Sequence, residues 1–307
     1  MHKSVLLEET IDSLNLNETS IVVDCTLGYG GHSSEVLKRI NHGYLYCFDQ
    51  DDEAIKNSKE RLDKISNNYE IIKSNFVNLK EKLNEKNVTK VNGIIYDLGV
   101  SSPQLDEDYR GFSFHKDAKL DMRMDTNNPL DAYKVVNEYT EEELINIFYK
   151  YGEEKYAKGI AKKIVEAREN KKIETTLELV EIIKSGVPEK YKREKHPARK
   201  VFQAIRIEVN KELDVFESSL RQALDLLAVG GRIAVITFHS LEDKICKEIF
   251  NEVSKIDKEL EKLPIIPDEY LKNFKIVGTY KPSKEELKYN NRARSAKLRV
   301  IEKIKEG

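Results

Sequence analysis

The chain has 307 residues, 39% hydrophobic and 35% charged, with a formal net charge of -2, which describes a water-soluble globular protein holding one large α/β domain or a domain with an insertion. No apolar run approaches the ~20 residues of a membrane span, and a near-neutral balance argues against indiscriminate nucleic-acid binding. Cys25, Cys47 and Cys246 are too widely separated for a disulfide framework or a zinc site, and the six histidines are scattered, so no metal is expected.

The amino terminus sets Glu8 and Glu9 directly after Val5, Leu6 and Leu7, unlike a secretory leader, and the expected location is cytoplasmic. Ser20 to Asp24 is a short β-branched run that ends in an acid and a glycine turn, the pattern of a buried parallel strand feeding a helix. Ser33 to Ile40 follows as that helix. Gly43 to Phe48 reads as a second strand closing on Asp49, Glu53 to Leu62 as a helix, Glu70 to Ile72 as a third strand, and Val91 to Tyr96 as a fourth closing on Asp97. This alternation predicts a doubly wound parallel sheet.

After Gln104 the alternation stops. Asp106 to Pro129 is loop-like, and Thr140 to Tyr151, Glu154 to Arg168 and Thr176 to Ser185 are amphipathic helices, so residues 106–204 form an inserted helical subdomain for substrate recognition. The α/β pattern resumes near Ala204 with a long helix through Leu227, Gly230-Gly231 as its stop, and Arg232 to Phe238 as a fifth strand. A helix over Leu241 to Phe250 and strands over Phe274 to Thr279 and Ala296 to Glu302 complete a sheet domain built from 1–105 and 205–307.

The chemistry concentrates at Gly28-Tyr29-Gly30-Gly31, where bare backbone allows a ligand to approach closely. Asp49 lies 21 residues beyond Gly28, at the end of the next strand, where a carboxylate accepts from both ribose hydroxyls of an adenosyl group. A dinucleotide fold requires a third glycine at position 33, which is serine here, so methyl transfer from S-adenosylmethionine is favoured over hydride transfer from a nicotinamide. Phe76 is a candidate adenine contact, with an ordinary core phenylalanine as its competing reading. Asp97 stands at the carboxyl end of the fourth strand, where open α/β sheets bind ligands.

With Asp97-Leu-Gly-Val-Ser-Ser-Pro-Gln-Leu-Asp106 in view, the chain resembles the ribosomal RNA small subunit methyltransferase H family. The resemblance also runs through Asp24 to Ser33, Arg110 to Phe114, Leu120 to Asp125, Tyr151 to Glu154, His196 to Arg199, Phe202 to Arg206, Thr237 to Asp243 and Asn291 to Ser295. It implies an α/β, Rossmann-like class I methyltransferase sheet with an inserted all-helical subdomain. It also implies methylation of the N4 amine of one cytidine in the decoding region of bacterial 16S rRNA, within the small ribosomal subunit. The cofactor contacts it implies are Gly30, Gly31 and His32 for the methionine portion, Asp49 for the ribose, Phe76 near the adenine, and Asp97 and Gln104 for the rest of the pocket.

The cytosine N4 lone pair is delocalised into the ring, so the amine must be oriented and its protons received. Asp97 and the Ser101-Ser102-Pro103 backbone are the candidates for that, with His239 lining the target pocket. Phe112, Phe114 and Phe238 are candidate stacking partners for a flipped base. Nine Lys or Arg stand against three Glu between Lys281 and Lys305, and a second basic run spans Lys192 to Lys200. On charge alone these are solvated faces, but an RNA substrate makes Arg199, Lys200, Arg292, Arg294 and Lys297 candidate phosphate contacts. A small-molecule methyltransferase and a non-catalytic cofactor-binding assembly factor are the competing functions, and both monomer and homodimer remain open.

Overall fold

The computed structural model describes residues 4–99, 109–194, 196–256, 259–260, 267 and 270–306. They divide into two compact units, Met1–Gly99 with Leu213–Gly307, and Val100–Glu212.

The first unit is a seven-stranded sheet. Its strands are β1 (Ile21–Asp24), β2 (Tyr44–Asp49), β3 (Tyr69–Lys73), β4 (Val91–Asp97), β5 (Leu227–Thr237), β6 (Phe274–Tyr280) and β7 (Lys297–Lys303), in the order β3-β2-β1-β4-β5-β7-β6. β1 to β5 pair in parallel, whereas β7 runs antiparallel to both β5 and β6. The sheet is therefore mixed, not wholly parallel. Only a hairpin-like return brings β7 between β5 and β6, and strand periodicity carries no direction.

The alternation of side chains along β1, β4 and β5 separates two cores. Val23, Ile94, Tyr96, Ile233 and Val235 face one side. There they pack against α4 (Leu79–Asn84), α11 (Glu212–Leu226) and α12 (Ser240–Ser254) through Leu83, Phe216, Leu220, Cys246 and Phe250. Val22, Ile95, Ala234 and Ile236 face the other, against α1 (Leu7–Ser13), α2 (Gly31–Leu37) and α3 (Asp52–Leu62) through Ile11, Val36, Leu37 and Leu62. Each fully buried aliphatic side chain contributes about 1.5–3 kcal/mol, and a one-residue slip of any strand would exchange its two faces. A short helix α13 (Glu286–Tyr289) precedes β7. Cys25, Cys47 and Cys246 are buried free thiols.

The second unit is helical: α5 (Ala132–Glu138), α6 (Glu141–Lys150), α7 (Ala157–Asn170), α8 (Thr176–Ser185), α9 (Glu189–Glu194) and α10 (Ala198–Asn210). Thr140 and Thr175 close capping boxes with Glu143 and Glu178, which fixes where α6 and α8 begin. Leu144, Ile147, Ile160, Ile164, Leu179, Ile183, Val201 and Ile205 form its buried stripe. Glu154 is fully buried and is satisfied by the Tyr191 hydroxyl, which donates at 2.7 Å, and by the Tyr156 N–H.

The long helix expected from Ala204 to Leu227 is two helices. Lys211 adopts a left-handed φ of 51° and separates α10 from α11. The helix stop expected at Gly230-Gly231 lies inside β5, where the pairing steps from Val91↔Leu227 to Gly93↔Arg232. The glycines serve that irregularity rather than a helix end.

Candidate active site

The glycine turn joins β1 to α2. Gly28 and Gly30 take positive φ of 49° and 70°, a region that costs a side-chain-bearing residue, and Gly30 is the N-cap of α2. At Gly31 the constraint is space, because a Cβ there would lie 1.9 Å from the Ser4 hydroxyl oxygen. The backbone of this turn is accordingly bare, and its first amide is already aimed: Gly28 N–H donates to Asp49 Oδ2 at 2.9 Å.

Asp49 closes β2, and its Oδ1 accepts from Asp51 N–H at 2.9 Å. Each carboxylate oxygen therefore keeps a second lone pair, enough for the two hydroxyls of a ribose. Burial pushes the Asp49 carboxyl up to about 6, opposed by the backbone N–H groups of Asp51, Gly28 and Gln50 and assisted by the charge of Asp51. Phe76 opens the 3₁₀ turn after β3, half-buried, with its ring edge-on to Tyr96 at 5.7 Å. Tyr96 is buried and its hydroxyl shares a 2.7 Å hydrogen bond with Ser219, so the Phe76 ring has a fixed support.

At the end of β4, Asp97 is held by its own N–H, which donates to Thr26 Oγ1 at 2.6 Å. Its Oδ2 lies 3.6 Å from His32 Nδ1, and its buried Oδ1 has no hydrogen-bond partner among the described residues. Burial pushes Asp97 up to about 6. The neighbouring His32 opposes that shift, and the charges of Asp24 and Glu242 add to it. Asp24 closes β1 and is itself pushed up by burial, against the Ser33 hydroxyl that donates to it at 2.7 Å.

His32 is buried on α2, 4% exposed, neither a cap nor a surface residue. Its Nε2 lies 3.2 Å from the Val5 carbonyl oxygen, which can only accept, so Nε2 carries the proton. In the neutral ring Nδ1 then turns a bare lone pair toward the Asp97 carboxylate. Two acceptors face each other there, and together they hold a place for one proton.

His239 is the N-cap of α12. Its Nδ1 accepts from Glu242 N–H at 3.4 Å, while Glu242 Oε2 accepts from Phe238 N–H at 2.7 Å and His239 N–H at 3.2 Å. The capping box accounts for its conservative geometry, and it stands at the carboxyl end of β5, the strand paired with β4. Among the stacking candidates, Phe112 is buried whereas Phe114 and Phe238 are half-buried. Ser101, Ser102, Pro103 and Gln104 lie outside the described residues.

The candidate phosphate contacts differ. Arg199 and Arg294 are exposed, and Arg292 is half-buried. Lys200 Nζ donates to the Glu153 carbonyl. Lys297 Nζ sits 2.5 Å from Asp243 Oδ2, beside Arg299 at 2.7 Å from Oδ1. Against the upward push of burial, Arg299 and Lys297 hold the Asp243 carboxyl below its usual range.

Sequence reading did not single out Asp24, Thr26, Glu242 or the Val5 carbonyl. An acid ending β1, as at Asp49 and Asp97, was a signal for Asp24. Val5 acts through its backbone and leaves none. Four acids with little compensating positive charge thus gather on three strand ends and the start of α12. A sulfonium with an α-ammonium group fits this setting, and a pyrophosphate does not. When bound, such a cofactor supplies an electrophilic methyl carbon. Among the described residues no group of three His, Cys, Asp or Glu could hold a metal ion, and no helix is long and apolar enough to cross a membrane.

Residues 1–304 match the model of the MraW methylase family. The ribosomal RNA small subunit methyltransferase H of Exiguobacterium sibiricum is 54% identical over 309 aligned residues, covering 99% of each chain. Among solved structures, an rRNA methylase from Streptococcus thermophilus overlaps with a TM-score of 0.46 at 14% identity, covering 99% of both chains. A methyltransferase from Streptococcus mutans in complex with SAH overlaps at 0.45 and 15%, with the same coverage. The chain belongs to the MraW methylase family and, with it, to the S-adenosylmethionine-dependent methyltransferases.

Proposed function

We propose that the chain transfers a methyl group to the N4 amine of one cytidine in the decoding region of 16S rRNA, acting in the cytoplasm on the small ribosomal subunit. The observation that carries this reading is the end-to-end match to a small-subunit rRNA methyltransferase. The site chemistry supports it. As N4 forms its bond to the methyl carbon it becomes acidic and must lose a proton. Asp97 Oδ1 is a buried acceptor without a partner among the described residues, and a carboxyl near 6 is ionised at neutral pH.

In this reading Gly30, Gly31 and His32 hold the methionine portion, Asp49 the ribose hydroxyls, and Phe76 the adenine. Gln104 completes the pocket, and the Ser101-Ser102-Pro103 backbone orients the amine. A proton received by Asp97 is shared with His32 Nδ1, whose lone pair Val5 keeps available through Nε2. His239 caps α12, and the helical unit carries substrate recognition, with Arg199 and Arg294 as the phosphate contacts least committed elsewhere.

The test is transfer of tritiated methyl groups to unmodified small subunits, to naked 16S rRNA and to free cytidine, followed by nucleoside analysis. Label on a single N4-methylcytidine is the expected result. Label on another nucleoside, or cofactor binding with no transfer to any of the three, refutes it.

A further inference from the structure

In the helical unit, four rings from three places in the chain meet in one cluster. Phe114 and His115 belong to the loop before α5, His196 immediately precedes α10, and Phe202 lies on it. His196 stacks on Phe114 with centroids 4.6 Å apart and planes 30° apart, and Phe202 meets the Phe114 edge at 5.7 Å. His115 leans on Phe114 at 4.4 Å and on His196 at 5.4 Å.

The cluster is graded from inside to outside. Phe202 is buried, Phe114 and His196 are half-buried, and His115 is exposed. A purely structural cluster would put its polar atoms into water or onto partners. Here His196 Nδ1 is buried and has no hydrogen-bond partner among the described residues. Burial lowers the His196 pKa, with His115 and Lys184 adding to the effect, so the ring presents a neutral face at physiological pH. Arg199 follows on the first turn of α10, its N–H donating to the His196 carbonyl at 3.2 Å. Its side chain is exposed and has no partner among the described residues.

Resting on the rRNA substrate proposed above, we infer that the Phe114–His115–His196 cluster is a stacking platform for an unpaired RNA base, with Arg199 taking an adjacent phosphate. An exposed flat ring backed by half-buried and buried ones, beside an uncommitted guanidinium, is what single-stranded RNA recognition uses. Arg199 adds charge that reads no sequence, and the rings add selectivity for the presence of a base.

The experiment uses the full chain without cofactor, so that it stands apart from methyl transfer. A short fluorescent single-stranded RNA and an abasic ribose-phosphate strand of equal length are titrated by anisotropy. The wild type binds the base-bearing strand more tightly. His115→Ala lowers that affinity by about tenfold and leaves the abasic strand unaffected. His115→Phe restores the difference, and Arg199→Glu weakens both strands and flattens the salt dependence. His115 is exposed, so thermal melting of its variants should match the wild type. Equal affinity of the wild type for the two strands, no binding to either, or a base preference that survives His115→Ala overturns the platform. A wild type that binds as expected yet methylates no small subunit refutes the functional reading and leaves the platform standing.

Discussion

Replacing Asp97 by Asn keeps the side chain's size and removes a charge that the fold holds at a cost. The carboxyl moves from its ordinary 3.8 to about 6 on folding, chiefly through burial. At about 1.4 kcal/mol per pH unit this is roughly 3 kcal/mol of destabilisation in the ionised form. The side chain is 26% exposed, so little of that is lost to solvent screening. Because the folded pKa lies above the unfolded one, the cost is absent below about pH 4, grows as the pH rises through about 6, and is complete above it. Asp97→Asn should therefore melt roughly 5 °C above the wild type at about pH 8 and together with it near pH 4. Methyl transfer should fall by about a hundredfold or more. Calorimetry of the cofactor-free proteins at the two pH values is the assay. A variant no more stable at the higher pH, or equally stabilised at both, would refute the claim that Asp97 is ionised at the expense of the fold.

On the proposal that Asp49 takes the ribose hydroxyls, Asp49→Asn should weaken cofactor binding by about a hundredfold with little effect on turnover at saturation; equilibrium dialysis checks this. Wild-type affinity should fall as the pH drops through about 6, where the Asp49 carboxylate takes up its proton. Gly31→Ala would bring a Cβ to 1.9 Å from Ser4 Oγ and 3.2 Å from Ser4 Cβ, so the Ser4 hydroxyl must rotate away and the residue give slightly. A slightly lower melting temperature is expected. His239→Asn keeps an N-cap but gives up the 3.0 Å approach of His239 Nε2 to the buried Glu242 Oε1, so a modest fall in melting temperature is expected. Activity within a few-fold of wild type in a single-turnover assay would confine His239 to capping α12.

β1, β2 and β4 were legible as short β-branched or aromatic runs closing on Asp24, Asp49 and Asp97, and the same pattern made Asp49 and Asp97 site candidates. What escaped was set by tertiary contact. The antiparallel return of β7 depends on where β6 docks, and the break at Lys211 depends on one left-handed residue in a segment of unbroken helical periodicity. His32 illustrates the limit at the site. Nothing in its local sequence distinguished it, whereas the fold buries it between the Val5 carbonyl and Asp97, residues far apart in the chain. The family resemblance placed it at the cofactor and gave no reason for its being histidine. The fixed Nε2 proton and the bare Nδ1 supply one.

The same carboxylates that burial makes costly to ionise suit a cationic ligand. Asp24, Asp49 and Asp97 are all pushed up by burial, and Asp97 also feels Glu242, so near pH 6 the cofactor-free site is partly protonated. A sulfonium and an α-ammonium favour the ionised form of each acid and should expel those protons on binding. The demethylated product keeps the ammonium and loses the sulfonium, so it should expel fewer and hold less tightly as the pH rises from about 6 to 8. Titration calorimetry in two buffers of different ionisation enthalpy counts the protons released by each. Equal release by cofactor and product would mean that the acids sense only the amino-acid end, and the electrostatic account of cofactor choice would have to be given up.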